Sequence, residues 1–247
     1  MRILSLCDGV SGGQQAFDVL GIKFDGIENT YYASEIAEYS IKVTQKNYPN
    51  TIQIGDMTML DEGKLDELGK IDILLSGTPC KSLSRTNIGN YGEGLKGSSK
   101  LFWDFVRILE YIKPKYFLFE NVESMKDSDR DVITEALGVE PVMINSSVFT
   151  AQDRKRYYWT NIPILELPDE SSLVLKDIMI HNPEEKLFYK QDFEFHGWDK
   201  KQIATLNLKC HDIGKRVYNP NMKCATLTAV TGGIKKRKFM IMEGVEN

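Results

Sequence analysis

Short apolar runs alternate with amphipathic segments throughout residues 1–160 of the 247-residue chain. Short apolar runs predict buried strands, whereas longer segments with helical periodicity predict crossover helices. The predicted strands are "RILSL" (2–6), "YYASE" (31–35), "TIQIG" (51–55), "IDILLS" (71–76), "KYFLFENV" (115–122) and "PVMINSSVF" (141–149). The predicted helices are "QQAFDVLG", ended by Gly21, "IAEYSIKVTQKNY" and "KLFWDFVRILEYI" (100–112). This order predicts an α/β fold with a doubly wound, mostly parallel sheet.

The periodicity weakens after residue 160, where "LPDESS", "HNPEEK" and "YNPNMK" have the composition of turns. We therefore place a domain boundary near residues 163–168. Residues 1–163 are predicted to form the main domain, and residues 164–247 a small irregular region.

The composition is that of a soluble globular protein, with 42% hydrophobic and 27% charged residues. No run of eighteen apolar residues occurs, so no membrane span is expected. The first residues lack the features of a signal peptide, which favours a cytoplasmic chain with reduced thiols. The four cysteines, Cys7, Cys80, Cys210 and Cys224, lack metal-site spacing, and even the adjacent Cys210-His211 pair predicts no metal.

The net charge of −4 conceals a basic stretch near the C-terminus. Residues 200–238 contain ten Lys or Arg and a single acid, Asp212. Such a segment could bind a polyanion, and its alternative is an ordinary solvated surface.

Three features follow the first three predicted strands. The glycine-rich "CDGVSGG" (7–13) follows the first strand, while Glu35 and Asp56 close the second and the third. Ligands of doubly wound sheets bind beyond the carboxyl ends of the strands, so these positions predict a nucleoside-bearing cofactor. For each acid the alternative is a turn cap.

The other half of the sheet supplies a thiol and a carboxyl group, Cys80 and Glu120, forty residues apart. A right-handed crossover would bring both to the same edge of the sheet. There they could combine nucleophilic and acid–base chemistry. The alternatives are a small buried hydrophobe for Cys80 and a helix cap for Glu120-Asn121.

The motifs "GTPCKSLS", "FENV" and "QDRKRYYW" resemble three signature motifs of the cytosine-C5 DNA methyltransferases, in that family's order. "LSLCDGVSGG", "ASEI" and "IGD" resemble the family's cofactor motifs, so the resemblance covers residues 1–163. "NPNMKCATLTAVTGG" (219–233) is similar to the motif that supports the target-recognition region. The chain is most similar to short phage and bacterial enzymes that resemble the animal de novo DNA methyltransferases.

The resemblance implies a Rossmann-like methyltransferase that uses S-adenosylmethionine. Cys80 would attack C6 of cytosine, Glu120 would contact the base edge, and Arg154 and Arg156 would help to hold the base. On a strand, two arginines two residues apart would face the same way. Glu35 would bind the ribose and Asp56 the adenine amino group. The full set of implied cofactor-binding residues is Asp8, Gly9, Val10, Ser11, Gly12, Glu35, Ile36, Asp56, Met57 and Pro79.

The resemblance also implies a double-stranded DNA substrate, base flipping and a place in bacterial or phage restriction–modification. Residues 85–99, rich in glycine, would form the loop that closes on the base. Two alternatives stay open. One is a non-catalytic relative that binds DNA or a partner, and the other is an RNA cytosine-C5 methyltransferase.

Members of this family usually continue beyond a point like "KFMIMEGVEN" into a helix and an Asn-containing motif that completes the cofactor pocket. We therefore expect a truncated chain, an inactive one, or one that needs a complementing C-terminal segment or subunit. We further expect weak cofactor binding by the chain itself and partial exposure of Ile3, Leu4 and Leu6.

Overall fold

The computed structural model of the chain describes residues 1–80, 83, 94–96, 100–179, 192–207 and 215–225. The predicted closing loop lies outside the described residues except for 94–96, as do Cys210-His211 and the basic residues after 225. The chain divides into two compact units. The first unit comprises Met1–Ile144 with Arg156–Leu165, and the second comprises Asn145–Lys155 with Glu166–Asn247.

A seven-stranded sheet forms the centre of the first unit. Its strands in chain order are β1 (Arg2–Leu6), β2 (Thr30–Ser34), β3 (Ile52–Gln53), β4 (Ile73–Ser76), β5 (Tyr116–Val122), β6 (Val142–Asn145) and β8 (Lys155–Thr160). In space the order is β3-β2-β1-β4-β5-β8-β6. The neighbours from β3 to β5 pair in parallel, and β5 pairs antiparallel with β8. The predicted mostly parallel α/β sheet is thus confirmed.

Five α-helices accompany this sheet in the described part of the chain: α1 (Gly12–Val19), α2 (Glu38–Asn47), α3 (Glu62–Glu67), α4 (Leu101–Ile112) and α5 (Asp127–Leu137). The apolar stripe predicted for α4 is confirmed, because Phe102, Phe105 and Ile108 are fully buried. After α1 the chain turns at Gly21, whose φ of 74° is one that glycine adopts without strain.

An aromatic cluster fixes the end of β5. Phe119 contacts Phe102 and Phe105 of α4, with ring centroids 5.3 and 4.9 Å away, and Trp159 of β8 at 5.9 Å. Trp159 is fully buried, and its indole N–H donates to Thr134 Oγ1 at 2.9 Å. Because Phe119 packs against both α4 and β8, the backbone that carries the next residue, Glu120, is held rigidly.

The expected exposure of Ile3, Leu4 and Leu6 is wrong, since all three side chains are fully buried. β1 is an interior strand between β2 and β4, and both of its faces are covered. Leu4 and Leu6 belong to the main core, while Ile3 packs in a second cluster that includes Phe17 of α1.

The second unit contains two small sheets in its described residues. One is antiparallel, with β9 (Phe193–Phe195) and β11 (Arg216–Tyr218) on either side of β10 (Gln202–Leu206). In the other, β7 (Gln152–Asp153) pairs in parallel with β12 (Cys224–Ala225). Across both units, no described helix is long and apolar enough to cross a membrane.

Candidate active site

The sheet reverses its winding between β1 and β4. From β1 the chain winds outward through β2 and β3, whereas β4 starts the other half on the opposite side of β1. Leu6 and Ser76, the last residues of β1 and β4, are directly paired. The glycine-rich loop and the Gly77–Cys80 turn therefore leave the sheet side by side, at the place where doubly wound folds bind ligands.

The glycine-rich loop has an unusual backbone. Cys7, Gly9 and Ser11 have φ values of 53°, 62° and 61°, so the chain enters the left-handed region three times in five residues. Glu35 anchors this loop, since its Oε2 accepts the Gly9 N–H at 2.8 Å. Its Oε1 accepts the N–H groups of Ile36 and Ala37 at 2.7 and 2.8 Å.

Asp8 faces inward rather than presenting a free carboxylate. Its Oδ1 accepts the Tyr31 hydroxyl at 2.9 Å, and its Oδ2 accepts the Ser11 hydroxyl. Burial raises the pKa of Asp8 above its ordinary value, while the hydrogen bonds from Ser11 and Tyr31 oppose the shift. In this structure Asp8 shapes the loop from behind, and its contact with a cofactor stays a prediction.

Asp56 caps a turn. Its Oδ1 accepts the N–H and the hydroxyl of Thr58, both at 2.9 Å, at the start of the 3₁₀ turn Met57–Met59. Met57 is buried, and its sulfur lies 3.5 Å from Cys7 Sγ. The contacts of Asp56 are thus those of a turn cap, and the adenine-binding role of Asp56 remains a prediction.

The space around this loop suits a nucleoside cofactor. Cβ atoms placed on Gly9, Gly12 or Gly55 would meet no atom within 4 Å, so each backbone borders open space. Val10 and Ile36 expose 52% and 73% of their surface at neighbouring strand ends, which offers apolar area for a purine ring. The Glu35 carboxylate, which binds the Gly9 N–H, adds hydrogen-bond acceptors beside this open space.

Glu120 and Arg156 form an ion pair on the other side of the switch point. Arg156 Nε lies 2.7 Å from Glu120 Oε1, and both side chains are largely shielded from solvent. Arg156 is opposite Val122 in the β5–β8 ladder, so it shares a face with Glu120, two residues from Val122. The bond orients the carboxyl group at the strand end.

The turn that leads to Cys80 contacts the same strand end. A Cβ on Gly77 would lie 3.2 Å from Glu120 Oε2, so glycine permits a close approach there. Asn121 Nδ2 donates to the Thr78 carbonyl at 3.3 Å. Cys80 is half-buried, and its carbonyl accepts the N–H of the buried Leu83 at 3.0 Å. Exposed Pro79 lies between these anchors.

Arg154 belongs to the second unit, unlike Arg156. It lies between β7 and β8 rather than within a strand, so strand alternation does not relate the two arginines as we expected. Its N–H donates to Asn145 Oδ1 at 2.9 Å, also in the second unit. The structure therefore joins Arg156 with Glu120, and the role of Arg154 stays a prediction.

Sequence reasoning missed Gly77 and Asn121 as members of this site. Both lie inside motifs that it did single out, next to Cys80 and Glu120. An amide near the end of an apolar strand was the available signal for Asn121, because such a group needs partners where it is buried. No group of three or more His, Cys, Asp or Glu within the described ranges could hold a metal ion.

At the switch point of this doubly wound sheet, the glycine-rich loop and Glu35 lie on one side, and Cys80 and Glu120 on the other. This arrangement defines a Rossmann-like methyltransferase fold. The model of the C-5 cytosine-specific DNA methylase family matches residues 1–163. The chain therefore belongs to that family.

Curated relatives agree with the family assignment. The chain is 28% identical to the type II methyltransferase M.NgoBV of Neisseria gonorrhoeae, over 85% of this chain and 61% of the relative. It is 29% identical to the orphan methyltransferase M.SPRI of Bacillus phage SPR, over 85% of this chain and 45% of the relative. It is 27% identical to the type II methyltransferase M.Bsp6I of Bacillus sp. strain RFL6, over 94% of this chain and 78% of the relative. The chain thus spans about three-fifths of the Neisseria protein.

Proposed function

We propose that this chain transfers a methyl group from S-adenosylmethionine to C5 of cytosine in double-stranded DNA, with Cys80 as the nucleophile. One observation carries the proposal: the end of β5 contacts the turn that follows β4. Glu120, paired with Arg156, lies against Gly77, and Asn121 binds the turn that leads to Cys80. A carboxyl group at the end of one strand and a thiol in the turn after its parallel neighbour can act on one bound ring.

Each residue has a defined task. The Cys80 thiolate bonds to C6, and the electron pair of the C5–C6 double bond becomes available at C5. Glu120 favours this addition by holding a proton at N3 of the base, while Arg156 keeps its carboxyl group in place. Bound S-adenosylmethionine would supply an electrophilic methyl group to C5 and leave as S-adenosylhomocysteine. Water takes the C5 proton, and the electron pair of that C–H bond restores the C5–C6 double bond as the C6–S bond breaks and the thiolate returns.

The cofactor would occupy the open space over Gly9, Gly12 and Gly55. The Glu35 carboxylate retains acceptor capacity for ribose hydroxyls, since a carboxylate offers about four lone-pair sites and three are used. Val10 and Ile36 would cover the purine. The expectation of a complementing C-terminal segment or subunit stays a prediction.

The reacting carbon of cytosine is stacked inside a duplex, so the base must be flipped out before Cys80 can reach it. The relatives named as type II methyltransferases support a role in restriction–modification. An RNA substrate is the competing possibility.

Transfer of tritiated methyl groups tests the function. The probes are unmethylated plasmid DNA and, separately, unmodified RNA. The matched variants are Cys80→Ser and Cys210→Ser, the second at a thiol that the proposal does not use. We expect label in cytosine C5 of DNA with wild type and Cys210→Ser, but not with Cys80→Ser, because a hydroxyl is a far weaker nucleophile. DNA containing 5-fluorocytosine should form a covalent complex with wild type and Cys210→Ser, but not with Cys80→Ser. Label in RNA alone, or turnover by Cys80→Ser, would overturn the proposal.

A further inference from the structure

Lys223 has an unusual set of partners within the second unit. Its Nζ donates to the carbonyl oxygens of Ser147 and Thr150, both at 2.9 Å, and of Leu173 at 3.1 Å. An ammonium group has three donors, so three converging carbonyls use its full capacity. None of these partners is acidic, which separates this lysine from the ordinary surface ion pair.

Two of the three carbonyls, those of Ser147 and Thr150, belong to a loop of residues 146–154, which ends at Arg154. The ends of this segment are joined, since the Ser146 N–H donates to the Arg154 carbonyl at 3.1 Å. Asn145 adds a second closure, with Oδ1 accepting the Arg154 N–H at 2.9 Å. Lys223 binds the middle of the same loop. The loop is therefore held at its ends by its own residues and at its centre by a lysine about seventy residues away.

Other residues of the second unit also bind this loop, close to Arg154. The N–H of Cys224 donates to the Ala151 carbonyl at 2.9 Å, and Cys224 pairs with Gln152 in the β7–β12 ladder. Lys201 forms an ion pair with Asp153. Residues 151–153, directly before Arg154, are thus fixed by β12 and by Lys201, the residue before β10.

We propose that Lys223 is a positioning residue, which fixes the backbone of residues 146–154 and thereby the segment from which the Arg154 side chain extends. This inference rests on the proposed function and on the base-holding role that the family resemblance implies for Arg154. The lysine touches no reacting atom. Its effect on turnover passes through Arg154.

Lys223→Met tests the inference, because methionine keeps much of the side-chain length and loses all three donors. We expect faster hydrogen–deuterium exchange in residues 146–154 and a kcat about 10- to 100-fold lower, since small misplacements of a positioning group cost this much. The KM for S-adenosylmethionine should stay within about two-fold, because the proposed cofactor site lies in the first unit. Lys176→Met, which alters an exposed lysine of the second unit, is the matched control.

A double-mutant cycle separates positioning from general loss of structure. In an Arg154→Ala background, Lys223→Met should lower kcat by less than two-fold, because the group that it positions is already absent. Lys223→Arg, which keeps the charge and several donors, should lose less than Lys223→Met and guards against a variant that fails to fold. Equal losses in both backgrounds, or unchanged exchange in 146–154, would overturn the inference. A wild-type chain without activity, both by itself and with a C-terminal segment of a relative supplied, would instead refute the proposed function. The exchange measurement would still decide whether Lys223 holds the loop.

Discussion

Asn121 Nδ2 donates to the carbonyl oxygen of Thr78 across 3.3 Å, and this buried bond joins the end of β5 to the turn before Cys80. Asn121 exposes only 1% of its surface, and its Oδ1 also accepts the N–H of Val122 at 2.8 Å. The positions of Cys80, the proposed nucleophile, and Glu120, the proposed acid, therefore both depend on the ends of the adjacent strands β4 and β5. Asn121 contributes no reactive group to either.

We predict that Asn121→Ala lowers the free energy of unfolding by about 1–3 kcal/mol, because it leaves a buried carbonyl without this donor. The turnover number should fall as well, since the Cys80 turn is no longer attached to β5. Urea denaturation and methyl transfer to plasmid DNA measure the two effects. Asn47→Ala, at an exposed position in α2, is the control and should change neither by much. Full turnover in Asn121→Ala would show that the attachment is unnecessary.

Gly77→Ala should reduce turnover with little loss of stability. Its new Cβ would lie 3.2 Å from Glu120 Oε2, which forces the carboxyl group of Glu120 to shift by a few tenths of an ångström. Gly63→Ala is the matched control, because its Cβ would meet Asp61 Oδ1 at an ordinary 3.6 Å. Within α3 that change should even stabilise the fold by about 0.5–1 kcal/mol. Kinetics and thermal melts of both variants provide the comparison, and equal kinetics would contradict the prediction.

Glu120→Gln should reduce the chemical step far more than DNA affinity. A positioned acid contributes about 10²–10⁴-fold to rate, and an amide cannot hold a proton at N3 in the same way. Single-turnover methyl transfer and a filter-binding assay measure the two quantities. Glu110→Gln, on the exposed face of α4, is the control. Parallel losses in rate and affinity would instead assign Glu120 a structural role.

Local patterns predicted the elements of this fold well. The strand predicted over 2–6 matches β1, and the helical stripe of 100–112 matches the buried face of α4. Both follow from periodicity within one segment. β3 is shorter than predicted, with only Ile52–Gln53 in the ladder, because the chain turns at Gly55 with φ of 78°.

Relationships across the sheet could not be read in the same way. The Glu120–Arg156 pair depends on β8 running antiparallel beside β5, and no periodicity within either segment encodes that neighbour. The burial of Ile3 likewise depends on Phe17 of α1 packing over β1, a contact between separate elements. The cofactor and base-contacting roles came from the family resemblance, and the structure adds the contacts through which those residues are held.

Cys7 should resist alkylation in the folded chain. Burial, and then the nearby charges of Glu35 and Asp56, raise the pKa of its thiol from 9.0 to about 12, so the reactive thiolate is scarce at pH 8. Iodoacetamide labelling read by mass spectrometry should modify Cys7 only after unfolding in urea. The unfolded chain loses this proton near pH 9 and the folded chain does not, so the free energy of unfolding should fall between pH 9 and pH 12. Rapid labelling of the native chain would contradict this prediction.

Glu35→Gln tests the anchor of the glycine-rich loop. The carboxylate accepts three backbone N–H groups, from Gly9, Ile36 and Ala37, whereas a glutamine amide has a single acceptor oxygen. At least one N–H loses its partner, and the proposed acceptor for the ribose is weakened. Hydrogen bonds to a charged group contribute about 1.5–3 kcal/mol, so the Kd for S-adenosylmethionine should rise by roughly 10- to 100-fold.

Calorimetric titration with S-adenosylmethionine measures this change. Glu38→Gln is the matched control, because Glu38 is exposed and forms only a surface ion pair with Lys42. A loss of affinity in Glu35→Gln alone supports a cofactor site at the β1 and β2 ends. Unchanged affinity would show that the cofactor does not bind Glu35. The role of Glu35 would then be limited to its three backbone hydrogen bonds.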